Sequence, residues 1–255
     1  MDRIICLTEE TTEFLYLLGE EKKIVGITAY TERPEIAKKE KPIVSAFIKG
    51  NIQKIIDLKP DLIIGFSDIQ AEFAKNLILQ GQTVLIFNQR SISEIFTALY
   101  TIGKIVSKES LANEWICKWK NQIEIWKEEA NLIKNKKKIF FQEWDEPIIT
   151  SIEWVSEAIQ LAGGINIFSE LEKEKSASKR IVTAQDVADK NPDLIIGSWC
   201  GKPMDWDWVK NKKEWQNTNA IQTNSIYEMD PSIILQPGPA LFLEGIPKLR
   251  EIIKK

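Results

Sequence analysis

The hexapeptide Pro-Asp-Leu-Ile-Ile-Gly occurs twice, at residues 60–65 and 192–197. Each copy follows a short amphipathic stretch, NIQKIIDLK before the first and AQDVADKN before the second. Proline has no N–H to donate and disfavours the α conformation in the residue before it, so each stretch is a helix that must end there. A continuous apolar run closed by Asp and Gly suits a strand covered on both faces, as in parallel sheets. Two copies of this helix–Pro–strand unit predict two α/β lobes of similar plan.

The flanking sequence extends the pattern. Strands are expected at 3–7, 24–28, 61–66 and 83–88, with helices at 11–18, 51–58 and 69–80. In the second half, strands are expected at 138–144, 193–199 and 224–228, and helices at 153–162, 184–190, 206–215 and 239–254. Such alternation predicts an α/β fold of two Rossmann-like lobes with mostly parallel sheets. The 255 residues, 44% of them hydrophobic, suffice for two cores. The expected division is a lobe at 1–106, a connecting helix at 107–136 and a lobe at 137–255.

The connecting stretch has neither Gly nor Pro from Ser107 to Asn135. Leu111, Trp115, Trp119, Ile123, Trp126, Ala130 and Ile133 recur at steps of three and four, which is one face of a helix. Ser107 and Ser110 offer capping hydroxyls near its start. A helix of about 27 residues is ~40 Å long at 1.5 Å per residue. A rigid rod of that length permits small rocking of two lobes about a ligand cleft between them.

Composition removes whole classes of chemistry. The chain has no histidine, so Ser-His and Cys-His nucleophiles, His zinc sites and imidazole acid–base catalysis are all excluded. No Walker loop or G-x-G-x-x-G is present. Glu9 and Glu10 at a helix start are accounted for by the helix dipole. Asp145 and Glu146 are adjacent and, as strand residues, would face opposite ways. No enzyme and no metal site is expected.

A net charge of −3 gives no reason to expect a nucleic-acid partner, and KNKKK at 134–138 reads as a solvated helix end. Cys6, Cys117 and Cys200 are widely separated and odd in number, which predicts free thiols. No apolar run is long enough to insert in a membrane. A strand-like run begins at Arg3 with no leader pattern before it. That leaves two expectations open: a periplasmic or extracytoplasmic chain whose leader has been removed, or a cytoplasmic one.

Open parallel sheets bind ligands beyond the carboxyl ends of their strands. Those ends carry rings: Tyr30, Phe66, Trp144, Trp199, Trp206 and Tyr227, with Phe47 and Trp154 nearby in sequence. Rings gathered in a cleft suit a broad, flat, amphipathic ligand. The alternative for each is a packing cap on its sheet.

Taken in order, RIICLTEETTEFLYLLG, IVGITAYTERP, NIQKIIDLKPDLIIG, EWDEPIITSIEWVSEAIQLAGGINIF, PDLIIGSWCG and LQPGPAL resemble the helical-backbone (class III) substrate-binding proteins of ABC importers. The resemblance covers nearly the whole chain. It is nearest to the cobalamin-binding branch, with ferric siderophore and haem periplasmic binding proteins as relatives. It implies a monomer that holds cobalamin or a related corrinoid non-covalently and delivers it to an ABC importer permease dimer. The implied ligand pocket falls on Tyr30, Phe66, Trp144, Trp199 and Tyr227. The implied permease-docking glutamates are Glu72, in IQAEFAKNL, and Glu228, in IYEMDPSII.

Cobalamin can keep its own lower axial base, so the missing imidazole is no obstacle. Haem would have only Tyr30 to ligate it, and a trianionic siderophore matches these acidic and aromatic strand ends poorly. The rivals are a haem or siderophore binder of the same class, and a leaderless cytoplasmic corrinoid-binding protein or enzyme. Pro237-Gly238-Pro239-Ala240-Leu241 lacks the arginine of the family's P-G-P-R-L pattern.

Overall fold

A computed structural model describes residues 1–255, which divide into two compact units. The first comprises Met1–Lys118 with Pro237–Pro239, and the second Trp119–Gln236 with Ala240–Lys255.

The first unit runs β1 (Ile4–Cys6), α1 (Glu9–Leu17), β2 (Ile24–Thr28), α2 (Ala37–Glu40), β3 (Ile43–Ala46), β4 (Lys49–Gly50), α3 (Ile52–Asp57), β5 (Leu62–Phe66), α4 (Ala71–Leu79), β6 (Val84–Phe87) and α5 (Ile92–Ile105). Its six strands lie in the order β4-β3-β2-β1-β5-β6, parallel except for β4. Ile5, Leu7, Val44, Ile55, Ile63, Phe73 and Leu77 form a core on one face of it. Helix α6 (Glu109–Asn131) follows, its residues to Lys118 in the first unit and the rest in the second.

The second unit continues with β7 (Lys138–Trp144), β8 (Ile149–Thr150), α7 (Glu153–Leu161), β9 (Ile165–Asn166), α8 (Ala184–Lys190), β10 (Leu194–Gly197), α9 (Trp206–Lys210), α10 (Asn219–Gln222), β11 (Ile226–Glu228), α11 (Pro231–Ile234) and α12 (Ile246–Lys254). Strands β11, β10 and β7 are parallel neighbours, with β8 antiparallel and β9 parallel to β7. Phe140, Ile195, Trp199, Met204, Val209 and Trp215 are among the residues of one core. The expected fold class is therefore what the chain adopts.

The repeated hexapeptide builds β5 and β10, and its residues do the same work in both units. Lys59 and Asn191 both sit in the left-handed region at φ 46°, turning the chain out of its helix just before the proline. The Asp61 carboxylate accepts the Arg3 N–H at 3.0 Å, and the Asp193 carboxylate accepts the Lys138 N–H at 2.8 Å. In return the Arg3 guanidinium donates to Leu58 O at 2.5 Å, and Lys138 Nζ donates to Lys190 O at 2.6 Å. Each Asp thus pins the entry of the neighbouring strand, while the basic residue there satisfies a helix-end carbonyl that has no partner within the helix.

Helix α6 has 23 residues, ~34 Å at 1.5 Å per residue, shorter than expected. Ser107 does not cap it. That residue has φ 59° and donates its N–H to Lys104 O, so it closes α5 instead. The buried line is Ala112, Ile116, Trp119, Ile123, Trp126 and Ala130, while Leu111 and Trp115 are only half-buried. The expected helix 206–215 is broken into α9 and a short 3₁₀ turn at Lys213–Trp215. There the buried Trp215 ring turns inward and donates from Nε1 to Ala184 O at 3.0 Å. The expected helix 239–254 starts as a π-turn at Leu241–Gly245, because Pro247 has no N–H for the regular ladder.

Candidate functional site

In the first unit, the carboxyl ends of the strands are tied together by one buried amide. Gly65 has no side chain, and the Gln70 amide occupies the space a Cβ would need. Gln70 Oε1 accepts the Phe66 N–H at 2.9 Å, and its Nε2 donates to Leu7 O at 3.3 Å and Phe47 O at 2.7 Å. This locks β1, β5 and the loop after β3 in register. Around that lock, Tyr30 is 47% exposed just beyond β2, whereas Phe66 is 9% exposed. The Arg90 guanidinium lies 5.1 Å from the Phe66 ring centroid and is paired with Asp68 at 2.9 Å, so the cation at this edge is already neutralised. Glu72 is exposed in the first turn of α4, 3.2 Å from Lys75.

The acidic start of α1 is deeply buried. Glu9 and Glu10 are 2% and 3% exposed. Burial pushes Glu9 up to about 8 and Glu10 up to about 7. Glu9 Oε1 accepts the Glu32 N–H at 3.1 Å, and Glu10 Oε1 accepts from Thr8 Oγ1 at 2.8 Å. The second oxygen of each is buried without a partner. Gly238, in the same unit, lies against Glu10 so closely that a Cβ would strike that side chain and its backbone. The dipole account given by sequence alone missed these groups, because nothing in E-E-T-T distinguishes an exposed helix start from a buried one.

In the second unit two of the expected residues, Trp144 and Trp199, meet at one lysine. Trp144 ends β7 half-buried, with its Nε1 donating to Glu146 O at 3.0 Å. Asp145 and Glu146 lie beyond the strand in a turn, so opposite strand faces do not arise. Lys202 Nζ stands 4.3 Å from the Trp144 ring centroid and 4.9 Å from that of Trp199, and is 2.7 Å from Asp145. Burial works against the Asp145 carboxylate, but hydrogen bonding from Lys202 and nearby backbone prevails and holds it below its usual range.

Trp199 does not stand at an open strand tip. It is 1% exposed, within the core and edge-on to Trp208 at 6.0 Å, because the following loop, Cys200–Met204, folds back over it. Trp154 is likewise packed, donating to Ile234 O at 3.0 Å. Tyr227 is half-buried in β11 with Lys255 Nζ 5.5 Å from its ring centroid. Glu228 is exposed, yet its Oε1 accepts the Met204 N–H at 2.8 Å, so it also anchors the loop. Beside it lies a surface groove of about 460 Å³ that includes Asp230, Glu244, Lys248 and Glu251.

Sequence reasoning passed over Gln142, Lys202 and Gln70 as site-forming residues. None of the three cysteines is in a disulfide, Cys6 being buried and Cys117 and Cys200 exposed. No group of three or more Cys, Asp or Glu is placed to hold a metal ion. No helix is both long enough and apolar enough to cross a membrane.

Comparison with known proteins places this geometry. The family described as "Periplasmic binding protein" matches residues 4–233. An ABC transporter substrate-binding lipoprotein of Bacillus subtilis, YvrC, is 26% identical over 98% of this chain and 79% of its own length. A vitamin B12-binding protein of Vibrio campbellii is 27% identical over 92% of this chain and 83% of its own length. Among solved structures, IsdE of S. aureus, complexed with heme, superposes with a TM-score of 0.84 at 17% identity, each chain covered over 100% of its length.

Proposed function

Because the chain belongs to the periplasmic binding protein family, we propose that it captures cobalamin or a related corrinoid and delivers it to the permease of an ABC importer. Proteins of this family bind solutes and are not enzymes. The observation that carries the ligand assignment is the character of the strand ends. Exposed Tyr30 in one unit, and half-buried Trp144 and Tyr227 in the other, offer aromatic surface, while Phe66 of the first unit is buried. Two of the nearby cations are spent on internal partners, Arg90 on Asp68 and Lys202 on Asp145, which leaves Lys255 beside Tyr227 as a single charge. Aromatic walls without a free basic cluster suit a flat macrocycle with a neutral polar rim better than a trianionic chelate. The similarity to a vitamin B12-binding protein points the same way.

Calorimetry with cobalamin tests this directly. A submicromolar Kd is expected. Absence of heat at ~100 μM protein, where even a ~10 μM complex would register, overturns it. For docking, Glu72 and Glu228 are the proposed acidic contacts with the permease, one from each unit. Glu72→Ala combined with Glu228→Gln, which keeps an acceptor for the Met204 N–H, should abolish stimulation of permease ATPase while leaving ligand affinity intact.

A second reading is haem, favoured by the exposed Tyr30 phenol as the available axial ligand. A Soret band that Tyr30→Phe removes would support it. A cobalt-corrin spectrum indifferent to that substitution would dismiss it.

A further inference from the structure

At the end of β7 one polar side chain has been left with nothing to bond. Gln142 is fully buried, and neither its Oε1 nor its Nε2 has a partner. Strand alternation, in unbroken register with β10, places it on the face of Phe140, the face that packs on the core containing Trp199. The indole Nε1 of Trp199 is buried and unbonded too. Gln142 pairs with Gly197 of β10. This glycine is the counterpart of Gly65 in the repeated hexapeptide, and the two units fill the space beside it differently. Beside Gly65 stands the Gln70 amide, which satisfies the strand-end backbone. Beside Gly197 stands the Met204 thioether, which has no donor and accepts only weakly. The second unit thus keeps a donor–acceptor pair and an extra N–H unspent at the place where the first unit spends its own.

What covers this notch is the loop Cys200–Met204. It is held by the Lys202–Asp145 pair at 2.7 Å, by Lys202 over the two indole rings, and by the Met204 N–H on exposed Glu228. Gly201, at φ 82°, gives the loop its turn. Lys202 and Glu228, which make these attachments, are exposed, so water can compete for them from outside the loop.

We propose that the Gln142 amide and the Trp199 indole N–H form a reading site for a primary carboxamide on the ligand, reached when the Cys200–Met204 loop lifts. The ligand carbonyl accepts from Trp199 Nε1 and Gln142 Nε2, and its NH₂ donates to Gln142 Oε1. A carboxylate in the same place sets one acceptor against another and brings a charge into a buried site, so it is rejected. The inference rests on the corrinoid reading and sharpens it. A corrin rim carries neutral amides, whereas haem presents propionate carboxylates, and this site separates the two.

The test uses the full chain, the variants Gln142→Met and Trp199→Phe, and two corrinoids, one with rim amides and one with the matching rim acids. Wild type should prefer the amide form by ~100-fold or more, as buried unpaired polar groups discriminate strongly. Both variants should reduce that preference to within about threefold. Without ligand, Gln142→Met should melt a few degrees higher than wild type, because it removes a buried amide that has no partner. A structural glutamine behaves in the opposite way: Gln142→Met melts lower and the amide preference survives, and either result overturns the proposal. If wild type binds neither corrinoid, the transport ligand is wrong, and the sign of the ligand-free melting shift still decides whether Gln142 is held unpaired.

Discussion

Stability should fall as pH rises from 5 to 7, and the two buried glutamates at the start of α1 set the amount. Their ordinary value is 4.5, and burial raises Glu9 to about 8 and Glu10 to about 7. Over that interval the folded chain holds protons on both groups that the unfolded chain has largely released, Glu10 giving up about half of its own by pH 7. For a carboxyl with a raised value, the stabilisation is complete below the unfolded pKa and is lost as pH climbs toward the folded one. Each retained proton costs about 1.4 kcal/mol per pH unit, so the pair removes up to ~5 kcal/mol between pH 5 and 7. That is comparable with the whole stability of many domains.

Nothing else is expected to mask the trend. The chain has no histidine, and the depressed carboxylates Asp61, Asp145, Asp186, Glu20 and Glu170 finish titrating at or below the ordinary carboxylate range. The assay is urea unfolding at pH 5, 6, 7 and 8 in constant salt. Glu9→Gln and Glu10→Gln keep the oxygens that accept from the Glu32 N–H and Thr8 Oγ1, and each should remove about half the slope. A stability that is flat or rising from pH 5 to 7, or a slope unchanged in both variants, refutes the reasoning.

Two further outcomes follow from packing and from the repeat. Trp199→Ala empties a fully buried ring site and should cost about 3–5 kcal/mol of folding stability in denaturant titration; a loss below ~1 kcal/mol would show that the ring is not core. Asp193→Ala strips the Lys138 N–H and the Asn219 amide of their acceptor and should cost about 1–3 kcal/mol, with hydrogen exchange accelerated first at Lys138; unchanged exchange there would contradict its role as a strand pin.

The lobes were legible because Pro-Asp-Leu-Ile-Ile-Gly states its own structure. Proline stops a helix, aspartate pins a strand and the apolar run fills a parallel sheet, all of them local effects. Strands β3, β4, β8 and β9 were not legible, since two to four residues show no periodicity. The start of α6 was misjudged because Ser107 carries the side chain of an N-cap, and only its left-handed backbone assigns it to the end of α5. At the candidate site, ring types and their strand-end positions could be read from sequence. The burial of Trp199 could not, because it depends on how a loop five residues long folds back. Nor could the unpaired state of Gln142, which depends on Met204 rather than a second amide filling the space beside Gly197.

The most direct test of the ligand assignment is a competition titration of one protein preparation with cobalamin, haem and a ferric catecholate siderophore, followed by tryptophan fluorescence. Cobalamin should quench at submicromolar concentration and resist displacement by the other two. Displacement of cobalamin by equimolar haem or siderophore, or the absence of any quenching by cobalamin, would contradict it.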